Sequence, residues 1–173
     1  MDAIGARSIL KLQSPALRAA GIEVVSLLPL RLFGAERLRP DLRNHRKIAV
    51  IDDETVFFGS QNIVSPTANK GMHNEEIVVR ATGVIVKQLH AVLLGDRYLE
   101  TTDIPDEADI PEQPQPPCLQ PSFARILPSG PSYGVDSTEN VMVGLMYAAL
   151  SKVTLTTPYF IPSQQFVSAM CNA

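Results

Sequence analysis

The alternation of apolar and polar positions is clearest in the middle of the chain. Lys47-Ile48-Ala49-Val50-Ile51 is rich in β-branched residues, Asp52-Asp53-Glu54 interrupts it, and Thr55-Val56-Phe57-Phe58 resumes the apolar run. Two such runs around a short polar turn predict a β-hairpin. Upstream, Met1–Gly5 reads as the tail of a strand and its turn. Residues 14–21 follow as a small helix, with Ser14 as N-cap, Pro15 in the first turn and Gly21 at C′. Residues 22–28 are apolar and β-branched and predict a strand, which Pro29 ends. Beyond the hairpin, residues 75–80 begin a further strand that Gly83 closes. Residues 84–100 carry Val86, Leu89, Val92, Leu93 and Tyr98 at helical spacing. His90 lies on that helix, as a surface or packing residue rather than a ligand. This strand and helix rhythm predicts an α/β sandwich with a mixed sheet.

Composition divides the chain. Residues 102–121 contain six prolines and five acids with no basic residue, the character of an extended linker. The expected organisation is therefore a first lobe over residues 1–101, a linker over 102–121 and a further piece over 122–173. In that piece, residues 123–127 read as a strand. A helix capped by Asp136 or Ser137 follows, with Val141, Leu145 and Ala148 on one face. Residues 152–157 read as a strand and 162–170 as the start of a helix. These few elements are too little for an independent core.

Charge changes the picture locally more than globally. The net charge is −3, which argues against a generic nucleic-acid binder, yet residues 1–50 hold nine basic side chains against four acidic ones. The long segment 29–43 delivers that basic charge to the hairpin, suiting an anionic substrate or an anionic lipid surface. Cys118 and Cys171 show neither metal spacing nor a disulfide framework, so a reducing compartment is expected. No signal peptide is visible, and no apolar run approaches the roughly 20 residues of a membrane helix.

The candidate chemistry lies in HRKIAVIDDETVFFGSQN, residues 45–62. On a strand, His45 and Lys47 point to the same side, and a hairpin returns Ser60 and Asn62 towards them. An imidazole nucleophile, a fixed cation and short polar donors suit attack on a phosphate.

The stretch reads His-x-Lys-x4-Asp-x6-Gly-Ser-x-Asn and resembles the HKD motif of the phospholipase D superfamily. The flanks resemble its bacterial cardiolipin synthase branch: Leu42-Arg43-Asn44, Asp96-x-Tyr98-x-Glu100-Thr101, Ser129-Gly130-Pro131 and Thr157-Pro158-Tyr159-Phe160-Ile161-Pro162. That resemblance implies a phospholipase D-like α-β-α sandwich, a nearly complete first lobe and the start of a second. It implies phosphatidyl transfer between two phosphatidylglycerol molecules, with His45 forming a phosphohistidine and Lys47, Ser60 and Asn62 stabilising the phosphate oxygens. Arg43, Asn44 and Arg46 flank the histidine as candidate substrate-binding residues. Glu76, with Glu75 as the alternative, would orient the histidine ring. Asp52 belongs to the motif, but its opposite parity points to hairpin stabilisation more than chemistry. No metal or cofactor is required, because Lys47 and the hydrogen-bond donors supply the positive field.

Members of this kind carry two HKD motifs, whereas this sequence has only His45, His73 and His90. Neither His73 nor His90 has a lysine two positions on. The expectation is a fragment, inactive alone, that needs a second HKD half or a second copy. Its parent would work at the cytoplasmic face of the cell membrane on an anionic phospholipid, with no nucleic-acid partner. Two other readings stay open: a hydrolase, as a phospholipase D or a dimeric nuclease, and a non-catalytic relic.

Overall fold

A computed structural model of the chain describes residues 1–3, 5–27, 44–63, 75–101, 124–130, 133, 137–157 and 160–173. The chain divides into two compact units, Met1–Ala124 and Arg125–Ala173. The expected linker, the basic segment from 28 to 43 and the polar loop from 64 to 74 lie outside the described residues, as do Arg43, His73 and Cys118.

The first unit is α/β. Its sheet is built from β1 (Ile48–Ile51), β2 (Thr55–Gly59) and β3 (Val78–Thr82), antiparallel and in that spatial order. Ile51 faces Thr55 across the hairpin, and Val56 pairs with Val50 on one side and Ala81 on the other. Glu54 N–H donates to the Ile51 carbonyl at 3.1 Å, closing a turn whose central residues, Asp52 and Asp53, both have φ near +52°. Positive φ at both positions is the signature of the hairpin-type turn, and aspartate tolerates it better than most side chains.

One long helix supports this sheet. The helix α3 (Val84–Thr101; α1 and α2 are given below) packs against all three strands through Val86, Leu89 and Val92, all buried. The expected apolar face is thus present, except that Tyr98 is exposed. The sharp entry from β3 into α3 uses Gly83 at φ +81°. Val56, the second residue of the central strand, is fully buried.

Two expectations for the first unit are corrected, and one helix is added. Residues 7–12 form a helix, α1 (Arg7–Leu12), which the hydrophobic pattern did not reveal. Ser14 is not the N-cap of the next helix, α2 (Ser14–Ala19). Gln13 occupies that place, and Ser14 Oγ donates back to the carbonyl of Leu10. Of the expected strand 22–28, the described residues 22–27 form no regular strand and contribute a single parallel bridge, Asp2 with Leu27. It is held by Leu27 N to the Met1 carbonyl at 2.7 Å and Ala3 N to the Leu27 carbonyl at 2.8 Å. A β-branched run becomes a strand only where a neighbour offers a ladder of hydrogen bonds. Here the neighbour offers a single bridge.

The second unit is a helix pair, α4 (Ser137–Tyr147) and α5 (Gln164–Asn172), closed around Val143, Met146, Phe166 and Ala169. Ser163 caps α5 by accepting from Phe166 N at 3.2 Å, and its hydroxyl also bonds Glu139 of α4. The buried face of α4 is therefore not the expected one: Val141, Leu145 and Ala148 are exposed. Both choices have helical spacing, and the seat of Phe166 selects between them. The described residues 124–127 and 152–157, expected as strands, have no regular structure and no strand partner among the described residues.

Candidate active site

The hairpin brings the chemistry-bearing residues to its open end. Lys47 directly precedes β1, and Gly59 at the end of β2 donates from its N–H to the Lys47 carbonyl at 3.3 Å. Ser60 leaves β2 beside β3, with its N–H on the Ile77 carbonyl at 2.9 Å. Gly59 is required at this point by space. A Cβ there would lie 2.0 Å from the Ile77 carbonyl oxygen, closer than any side-chain carbon is tolerated. The glycine of the Gly-Ser-x-Asn sequence thus lets β2 and the segment before β3 approach closely enough to place Ser60.

Lys47, Ser60 and Glu76 are neighbours here, and the His45 backbone joins them through its carbonyl. Lys47 Nζ donates to the His45 carbonyl at 2.7 Å, which leaves two ammonium protons for an anion. Ser60 Oγ donates to Glu76 Oε2 at 2.6 Å and accepts from Ile77 N at 2.9 Å. Glu76 is therefore bonded to Ser60, and among the described residues it makes no hydrogen bond to the His45 ring. The ring itself is exposed. Desolvation holds the Lys47 ammonium below the ordinary lysine pKa, while the Glu76 carboxylate pulls in the opposite direction.

Asn62 shares a cleft of about 1020 Å³ with Lys47. The cleft is otherwise largely apolar, with Ile48, Phe57, Phe58 and Leu93 in its wall. Asp52 is elsewhere. It sits in the hairpin turn, five residues past Lys47 along a strand, about 16 Å at the usual rise. The structure thus keeps it out of the site and in the hairpin. Its neighbour Asp53 places Oδ1 2.5 Å from His90 Nδ1, a contact that ties the turn to α3.

Asn44 and Arg46 are held by protein groups. Asn44 Nδ2 donates to Asp96 Oδ2 at 2.7 Å, and Arg46 Nη1 meets Asp96 Oδ1 at 2.5 Å. Arg46 N donates to Asn44 Oδ1 at 3.0 Å, and Asn44 N to Asp2 Oδ2 at 3.2 Å. These two candidate substrate-binding residues are bonded to Asp96, and the Asn44 backbone also to Asp2. Sequence reading gave Asp96 no role. It lies 50 residues from Arg46, and no local periodicity links the two.

Over its whole length the chain is similar to proteins named cardiolipin synthase A. It is 32% identical over 182 residues to that of Pectobacterium carotovorum subsp. carotovorum (strain PC1), and 32% identical over 183 residues to those of Proteus mirabilis (strain HI4320) and Yersinia pestis bv. Antiqua (strain Angola). Each comparison covers 100% of this chain and 37% of the relative, so the chain spans little more than a third of their length. No family model matches, and no solved structure matches. The cardiolipin synthase resemblance read from the motif and its flanks is thereby borne out.

Proposed function

We propose that this chain carries one half of the active site of a cardiolipin synthase-like phosphatidyltransferase. What supports this reading is the pair of bonds at the open end of one hairpin, Lys47 to the His45 backbone carbonyl and Ser60 to Glu76, in a chain similar throughout to cardiolipin synthases. A ring nitrogen of His45 attacks the phosphorus of phosphatidylglycerol. The bond from phosphorus to the glycerol headgroup breaks, and a second histidine protonates the departing oxygen. The hydroxyl of another phosphatidylglycerol then gives its proton to that histidine and attacks the phosphohistidine. Cardiolipin forms and His45 is regenerated.

Lys47 and Asn62 face the phosphate as cation and amide donor. Ser60 has its proton committed to Glu76, so it donates to a phosphate oxygen only when that bond opens. The second histidine comes from another polypeptide segment or from a second copy, because His45 is the only histidine in this sequence followed by lysine two positions on. The apolar wall beside Lys47 and Asn62 favours a lipid over a nucleic acid. Among the described residues no helix is long and apolar enough to cross a membrane. We place the parent enzyme at the cytoplasmic face of the cell membrane on the basic charge of residues 1–50.

The test is conversion of labelled phosphatidylglycerol to cardiolipin by this chain combined with a polypeptide carrying the other His-x-Lys motif. His45→Asn lowers conversion by about a thousandfold or more. Undiminished conversion by that variant removes His45 as nucleophile, and release of phosphatidic acid in place of cardiolipin replaces transfer with hydrolysis.

A further inference from the structure

The exposed ring of His45 belongs to a segment whose two neighbouring side chains are pinned to one carboxylate. Asp96 is nearly buried, with 11% of its side chain exposed, and it accepts from Asn44 with one oxygen and from Arg46 with the other. These partners stand immediately before and after His45. A third bond, from Arg46 N to Asn44 Oδ1, ties the two neighbours to each other. The carboxylate sits on α3, whose apolar face is fixed under the sheet. His45 is thus carried by a short bridge with both ends anchored to the most firmly packed helix of the unit.

We propose that Asp96 is a positioning residue for His45, acting through Asn44 and Arg46. This rests on the reading of His45 as the nucleophile. A nucleophile gains from being held at attack geometry before substrate arrives, and a displacement of about 1 Å is worth roughly a hundredfold in rate. An exposed imidazole has no packing of its own to supply that order. Two bonds involving charge on the flanking residues supply it from below while leaving both ring nitrogens open. Asp96→Asn keeps the shape but loses the charge and turns one acceptor into a donor. It therefore retains at most one of the two bonds.

The experiment uses the whole chain and two readouts. NMR relaxation reports the order of the residue 44–47 backbone, with the Ile48–Ile51 strand as internal reference. Phosphoramidate reports ring reactivity: its phosphoryl group passes to a ring nitrogen of His45, ammonia leaves, the imidazole proton is lost, and mass mapping locates the label. In Asp96→Asn the order parameter at residues 44–46 falls below about 0.6 while the strand stays near 0.85. Labelling of His45 slows at least roughly tenfold. Asp96→Glu restores part of both. Unchanged order, or unchanged labelling with lowered order, overturns the positioning role. If Asp96→Asn does not fold, Arg46→Met removes one arm alone, and the same pair of outcomes decides. Wild-type chain labelled no faster than His45→Asn removes the nucleophile itself, a failure separable from that of the clamp because the order measurement does not depend on it.

Discussion

Lys47 combines function with a cost to the fold. Desolvation lowers its pKa from the ordinary lysine value, so the folded chain holds the ammonium less readily than the unfolded chain does. In the pH window just below 10.5 the unfolded state then binds more protons, and the contribution of Lys47 makes stability rise with pH. Lys47→Met is expected to abolish transfer yet leave the melting temperature equal or higher at neutral pH. Thermal unfolding of wild type and variant across pH 8–11 (about that range suffices) reads the difference, which shrinks as pH rises. A lower melting temperature for Lys47→Met at neutral pH contradicts the desolvation argument. Gly59 is the opposite case, a residue that serves by having no side chain. Gly59→Ala places a carbon against the Ile77 carbonyl and costs about 1–3 kcal/mol, measurable by urea unfolding.

At the scale of elements, α3 does two jobs with two of its faces. Val86, Leu89 and Val92 lie against the sheet, while Asp96 holds the segment before β1 and Arg97 reaches Glu23 at 3.2 Å. The exposed Arg97 pair contributes little by itself. The apolar face carries the stability, and Leu89→Ala is expected to cost about 2–5 kcal/mol in denaturant unfolding. Because sheet and clamp share the helix, the same variant loosens the support of His45. Asp96→Asn, in contrast, frees residues 44–46 without disturbing the buried face. Comparing the two separates packing from positioning.

At the scale of the molecule, the proposed transfer uses two histidines, and the first unit supplies one of them, His45. The prediction is that solution mass and transfer activity change together. The chain alone, if monomeric, makes no cardiolipin from phosphatidylglycerol. The chain joined by a second His-x-Lys half does. An active dimer of this chain alone shows instead that two copies of His45 meet across an interface. Sedimentation with a parallel lipid assay distinguishes these outcomes.

The sequence by itself determined the hairpin, the β3–α3 connection and the gathering of Lys47 and Ser60. Each is set by short-range rules: alternation along a strand, aspartates that accept positive φ, a glycine where a side chain has no room, and apolar residues at helical spacing. It also placed Asp52 in the turn, by the polar interruption between two apolar runs. Tertiary structure decided what lies between distant residues. The β-branched run after Gly21 found only a single bridge, Leu27 with Asp2, and residues 152–157 found no strand partner among the described residues. Helix α4 buried Val143 and Met146 because Phe166 sits there. Asn44 and Arg46 bond Asp96, and Glu76 bonds Ser60. A pattern along the chain states which side chains share a face. Only packing states which carboxylate lies within hydrogen-bond reach, because that depends on where an element many residues away comes to rest.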